Sequence, residues 1–205
     1  MRINIAATKT NLLKVKKNLS VTREGYELLD EKRKILLGEI SAIIHKMQKT
    51  EEETDTALAD GYAAVNRATV IMGRKKLSEM SLAVETEANL RLTSRRVMGV
   101  SVPVINLQMK DHPPYFSSLK VNMAAEDATD RFKKILVLLA RLAELKITTL
   151  RLAQEAQKTI RKVNALEKVY IPYYQEAEKN INDRLEEESR DAFSMLKLIK
   201  QKIKK

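Results

Sequence analysis

The last 82 residues, 124–205, constrain this chain more than any other stretch. They contain one interior proline, Pro172, and no glycine. Little in them stops a helix from running end to end. At about 1.5 Å per residue that helix would extend roughly 120 Å, too long for a compact domain of this size. Apolar or small side chains return at alternating steps of three and four: Ile135, Leu138, Leu142, Leu145, Thr149, Leu152, Ala156, Thr159, Val163, Leu166, Tyr170, Tyr173 and Ala177. That is a heptad seam, and a seam needs a partner helix to bury it.

The front of the chain supplies one. Thr8 and Thr10 are N-cap candidates. From there Leu12, Val15, Leu19, Thr22, Tyr26, Leu29, Arg33, Leu36, Ile40, Ile43 and Met47 keep the same spacing. Gly25 and Gly38 each cost about 1 kcal/mol against alanine, too little to stop the helix. Past Met47 the register meets smaller residues: Thr50, Thr54, Ala57, Gly61, Ala64 and Ala68, then Ile71. Small seam residues let two helix axes approach or admit a third helix, and the spacing does not choose between them. The helix is expected to end near Gly73 to Lys76.

The texture then changes. Ser78 to Met98 reads as a shorter helix. Gly99 to Leu107 alternates β-branched residues, with Pro103 confining the segment to an edge strand. Gln108 to Pro114 reads as a loop, and Tyr115 to Leu119 as the returning strand of a hairpin. Within the final helix, Pro172 lacks an N–H and crowds the carbonyl of Lys168, so a bend is expected there. Beyond it the seam runs Ala177, Ile181, Leu185, then Ala192, Leu196, Ile199 and Ile203. Two successive four-residue steps form a stutter that locally unwinds a supercoil. The expected fold is all-α: a long antiparallel two-helix coiled coil with a small head containing a short helix and a β-hairpin. It forms one elongated domain, 1–205, with an N-terminal helix at 8–76, the head at 77–123 and the C-terminal helix at 124–205.

Charge is unevenly placed. The formal net charge is +11, from 38 basic and 27 acidic side chains. Residues 1–50 carry eleven basic and five acidic groups; residues 194–205 carry five lysines and no acid. A chain folded back on itself would bring these segments to one basic tip. Basic balance invites nucleic acid or anionic lipid. The lack of cysteine excludes disulfides and suits a reducing compartment. Neither a secretory signal nor a membrane-length apolar run is present, so a cytoplasmic location is expected.

Sites of chemistry are scarce. Gly73-Arg-Lys-Lys lacks the upstream glycine and the hydroxyl of a phosphate loop. His45 and His112 are far apart in sequence and read as ordinary surface residues. Glu186-Glu-Glu188 reads as a solvated face. A general acid or base needs a sheltered pocket, which a two-helix assembly does not offer. No catalytic residue, cofactor or metal is expected. Lys197, Lys200, Lys202, Lys204 and Lys205 complement a helix C-terminus electrostatically, or form a binding surface. Tyr170, Tyr173 and Tyr174 fit seam and flank positions better than a base-stacking set.

Stretches at the start, middle and end of the chain carry a resemblance. Thr8-Lys-Thr-Asn-Leu-Leu-Lys-Val-Lys-Lys17, followed by Arg23-Glu-Gly-Tyr-Glu-Leu-Leu-Asp-Glu-Lys-Arg33, is similar to the opening of the D subunit of the V-type/A-type rotary ATPases. Arg161-Lys-Val-Asn-Ala-Leu-Glu-Lys-Val-Tyr-Ile-Pro172 resembles that family's R-[RK]-V-N-A-L-E-x-x-x-I-P signature. Arg184 to Phe193, then Leu196-Lys-Leu-Ile-Lys200, resembles its tail, and Arg96 to Pro103 its hairpin entry. The resemblance implies a non-catalytic central rotor shaft. It would transmit rotation between a membrane ring carrying H+ or Na+ and a hexamer of three catalytic and three regulatory nucleotide-binding subunits. Other implied partners are the small F subunit of the central stalk and a funnel-shaped subunit on the rotor ring, at the cytoplasmic face of the cell membrane.

Against that background Lys14, Lys16, Lys17, Lys197, Lys200, Lys202 and Lys204 are the expected ring-facing residues, and Pro172 a source of asymmetry. Gly99, Val100, Val102, Pro103, Tyr115 and Phe116 are the expected docking or regulatory surface of the head. The alternative reading is a basic coiled-coil scaffold that binds nucleic acid or anionic membrane.

Overall fold

The computed structural model describes residues 5–82, 84, 87–110, 115–116 and 120–203, without the side chains of 120–122. The elements are helix α1 (Lys9–Met72), helix α2 (Arg74–Ser81), strands β1 (Ala88–Val97) and β2 (Val100–Met109), helix α3 (Lys120–Ala165), a π-helical turn (Leu166–Tyr170) and helix α4 (Ile171–Ile203). The all-α fold with a small hairpin-bearing head is thus present.

Local chemistry explains the boundaries of α1. The N–H of Asn11 donates to Thr8 Oγ1 at 3.2 Å, so Thr8 caps the helix. Helix α1 stops at Met72 because Gly73 takes φ +83°, a conformation that glycine adopts without the cost a side chain would add. Helix α2 restarts at once, its first backbone bond running from Leu77 N–H to Gly73 O.

The chain divides into two compact units, residues 1–35 with 156–205, and residues 36–155. In the first, Val15, Ala177 and Ile181 form a buried cluster, with Ile5, Ala7, Leu12, Tyr174 and Leu185 packed on it. Lys16 Nζ lies 3.8 Å from Glu178 Oε1 beside that cluster.

In the second unit α1 and α3 run antiparallel, since partners on α3 descend as α1 ascends. Glu51 pairs with Lys146 at 2.9 Å, Gly61 faces Phe132 and Ile135, and Arg67 lies 3.8 Å from Asp127. A Cβ on Gly61 would stand 2.8 Å from Ile135 Cδ1. The small seam residues therefore serve close approach of two helices. The edge-on contact of Tyr62 with Phe132, centroids 5.9 Å apart, closes its flank. Thr50 and Thr54 are buried in the seam, their hydroxyls donating to the carbonyls of Lys46 and Thr50 one turn back.

The α1 seam is as expected along most of its length. Val15, Leu19, Leu36, Thr50, Thr54, Ala64 and Ala68 are buried, and Ile71, where the helix ends, is exposed.

Three expectations need correction. Ser78 to Met98 is not one helix: α2 ends at Ser81, and 88–97 is a strand. Its partner is β2, paired in antiparallel register with Val97 opposite Val100 and Ala88 opposite Met109. The second correction is that Tyr115 and Phe116 lie in a bend outside the hairpin. Met98 (φ 50°) and Gly99 (φ 81°) form the two-residue turn, both in the left-handed region that matches strand twist. The β-branched run at 100–107 thus finds its partner upstream, where leucines and arginines masked the strand.

The third correction concerns the seam around Pro172. The π turn precedes the proline, with Ile171 N–H bonded to Leu166 O five residues back. The wider turn adds a residue and rotates the face that follows. Tyr170 is consequently half exposed at 49%, whereas Tyr174 joins the buried cluster around Val15.

Candidate functional site

Three surfaces collect most of the residues singled out from sequence. The first is the beginning of α1. Lys14, Lys16 and Lys17 are exposed there, Lys16 beside Glu178. The second is the end of α4. Every residue from Glu186 to Ile203 is exposed, including Phe193 at 60%, Leu196 at 64% and Ile199 at 51%. Lys197 Nζ sits 5.0 Å from the centroid of its neighbour Phe193, a cation–π contact. Lys200 and Lys202 are exposed, and Lys204 lies outside the described residues.

The structure does not bring these two basic groups together. The start of α1 packs at Ala177 and Ile181, and α4 continues beyond Leu185 for roughly 27 Å at about 1.5 Å per residue. The lysines at 197–202 ride on that continuation. Charge arithmetic missed this because it assumed two helix ends level with each other.

The third surface is the hairpin. Val102 is buried, 1% exposed, and Gly99 and Val100 stand at its turn. A hairpin closed by a two-residue turn alternates ladder bonds with outward-pointing groups. Pro103 falls opposite Ser94 at an outward position, so its missing N–H breaks no ladder bond. The neighbouring outward groups are held by α3. Ile105 N–H donates to Glu144 Oε2 at 2.9 Å, and Arg151 Nη1 donates to Ser101 O at 2.8 Å. Glu144 and Arg151 are seven residues apart and share one helical stripe. The edge of β2 is thereby covered, while β1 remains exposed with Arg91, Arg95 and Arg96 along it.

Sequence reasoning missed Glu144 and Arg151. Their heptad spacing was available, but nothing local names a strand as their partner. Tyr115 lies 4.8 Å below Lys133 Nζ, and Phe116 lines an apolar groove of about 620 Å³ with Val65, Leu77, Met109, Phe132 and Leu136. The hairpin residues and the two aromatics thus belong to one unit, on separate surfaces of it.

His45 is exposed, and His112 lies outside the described residues. Among the described residues no group of His, Asp and Glu gathers as a metal site requires. No helix among them is long and apolar enough to cross a membrane.

The described residues are thus mainly long helices, with exposed basic and apolar stretches at the end of α4. Residues 11–201 match the family of the ATP synthase D subunit. The chain belongs to that D-subunit family. It is 32% identical over 201 residues to the D subunit of a V-type ATP synthase from Thermotoga neapolitana, covering 98% of this chain and 99% of that one. The D subunit of an A-type ATP synthase from Thermococcus kodakarensis is 33% identical over 205 residues, covering 97% and 94%. That of Methanobrevibacter smithii is 33% identical over 204 residues, covering 98% and 88%. In this family member the signature Val163 to Pro172 coincides with the end of α3, the π turn and the start of α4.

Proposed function

We propose that the protein is the central-stalk shaft of a V/A-type ATP synthase or ATPase, a non-catalytic subunit that passes rotation between a membrane ion-carrying ring and a nucleotide-binding hexamer. The observation that carries this is the family match along nearly the whole chain, over residues folded as long paired helices. A shaft must transmit torque without its helices splaying. A seam buried within each unit, on α4 as far as Leu185, resists that, since each fully buried apolar side chain contributes about 1.5–3 kcal/mol. Family membership displaces the scaffold reading.

The finer assignments rest on chemistry. Lys14, Lys16, Lys17, Lys197, Lys200, Lys202 and Lys204 are proposed to face acidic or carbonyl-lined walls of the hexamer. Such contacts are long-range and tolerant of angle, as a turning part requires. Pro172, with its π turn, is proposed as a source of the asymmetry that holds three catalytic sites in different states. Gly99, Val100 and Pro103 on the hairpin, and Tyr115 and Phe116 on a separate surface, are proposed as docking or regulatory contacts; Val102, expected among them from the sequence, is buried and supports the hairpin from within. The contacts would be with the small F subunit of the stalk or a funnel-shaped subunit on the rotor ring, at the cytoplasmic face of the membrane.

The test is co-expression with the nucleotide-binding and stalk subunits. A stable complex in which this chain is required for coupled ion transport supports the proposal. Complexes that couple normally without it would end it. Charge reversal at Lys197, Lys200 and Lys202 together is expected to lower coupling while helicity is unchanged. Wild-type coupling at low salt would remove the ring-facing role.

A further inference from the structure

The seam of α4 does not stop where its cover stops. Ala177, Ile181 and Leu185 pack with Val15 and its neighbours. The same stripe continues through Ala192, Leu196, Ile199 and Ile203, at steps of three and four, all exposed. Met195, 65% exposed, flanks it. This is a coiled-coil face with half its length uncovered.

We propose that in the unassembled protein this face pairs with the same face of a second copy, antiparallel and about a two-fold axis. The inference does not depend on the shaft reading; it concerns the chain before any partner covers the stripe. Two observations select the occupant. The first is continuity, since from Leu185 regular heptad steps run on through Ser189 to Ala192, Leu196, Ile199 and Ile203. The second is charge. The first half of the overhang is net acidic, with Glu186, Glu187, Glu188 and Asp191 against Arg190, which reaches Glu186 at 3.4 Å; the second is basic, with Lys197, Lys200 and Lys202. Antiparallel self-pairing sets each half against its opposite.

The register is specific. With Ala192 opposite the second copy's Leu196, Ser189 falls opposite Ile199 and Leu185 opposite Ile203, so the whole overhang pairs. The flanking positions then match Glu186 with Lys200 across the axis, and Glu188 with Lys202. Phe193 and Met195 meet their own counterparts near the axis. Two-fold symmetry makes each charge pair occur twice. A parallel pair would instead align acid with acid and lysine with lysine. The consequence is a stored form whose apolar stripe is hidden until a larger assembly takes its place.

The experiment uses the full chain, whose lack of cysteine makes single thiols unambiguous. Light scattering and sedimentation across a concentration series are expected to show a monomer–dimer equilibrium. Glu186→Lys with Glu188→Lys should weaken it about tenfold or more, from four lost pairs and new repulsion. Adding Lys200→Glu and Lys202→Glu should restore it. Leu196→Asp should give a monomer with unchanged helicity. With a short thiol cross-linker, Met195→Cys should join copies efficiently. Ile203→Cys should not, because its two copies lie about 27 Å apart. A chain that is monomeric at every concentration, a dimer that survives Leu196→Asp, or equal cross-linking at residues 195 and 203 would overturn the proposal.

Discussion

Gly25 and Gly38 stand mid-helix in α1 with nothing within 4 Å of an added Cβ. Neither has the positive φ that would require glycine. Alanine at each should therefore stabilise by about 0.5–1 kcal/mol, read as a raised thermal midpoint. Gly61 is the opposite case. Its Cα faces Ile135 where α1 and α3 approach closely, so Gly61→Val should destabilise by about 1–3 kcal/mol. Equal gains at all three positions would show that the close approach does not hold. Asp30 carries a sign-definite pH effect. A hydrogen bond from Lys34 and the charge of Arg33 outweigh partial burial and hold its carboxyl below the usual range. Its stabilising contribution is present above the unfolded value of about 3.9 and is lost as pH falls through the lower folded value. Asp30→Asn should thus lower the thermal midpoint near neutral pH and make no difference in strong acid.

At the scale of elements, the hairpin is the informative case. Its turn forces Met98 to φ 50°, a left-handed conformation that costs a side chain about 1–3 kcal/mol. Met98→Asn makes an Asn-Gly turn and should slow amide exchange across β1 and β2. Glu144→Ala should speed exchange of the Ile105 amide, because that N–H loses its acceptor. Unchanged protection would mean the strand edge is not held by α3. Much of this element was legible: the β-branched run from Gly99 to Leu107, and Pro103 as an edge residue. The direction of pairing was not. Residues 88–97 alternate Leu with Asn, Arg and Thr, a composition as suited to a helix as to a strand until a neighbour takes up its backbone groups. The π turn was hidden for a related reason. A proline announces a disturbance, but packing of the segments around it decides whether the helix bends or widens.

For the molecule as a whole, the uncovered end of α4 separates stability from function. Within one copy residues 186–203 bury little, so at concentrations where the protein is monomeric a chain ending at Leu185 should unfold near the full-length midpoint. It should nevertheless lose coupling in the assembled enzyme if this end serves the shaft. A large loss of stability on truncation at that dilution would show that the overhang packs within its own copy. A buried seam residue gives the contrast: Leu152→Ala, at a fully buried position, should cost about 2–5 kcal/mol.

The order of hydrophobic and polar residues by itself determined that two long helices would form and which stripe of each carries the seam, although not that the stripe of α4 would lie uncovered past Leu185. Those features follow from bonds four residues apart and from a periodicity carried in the chain. Only the tertiary structure decided where α1 begins alongside α4, which strand β2 joins, and that Glu144 and Arg151 hold its edge. These depend on the axial offset and the long-range pairing of segments, and heptad spacing repeats too regularly to specify either. An offset of one heptad leaves the pattern intact while moving every charge by about 10 Å.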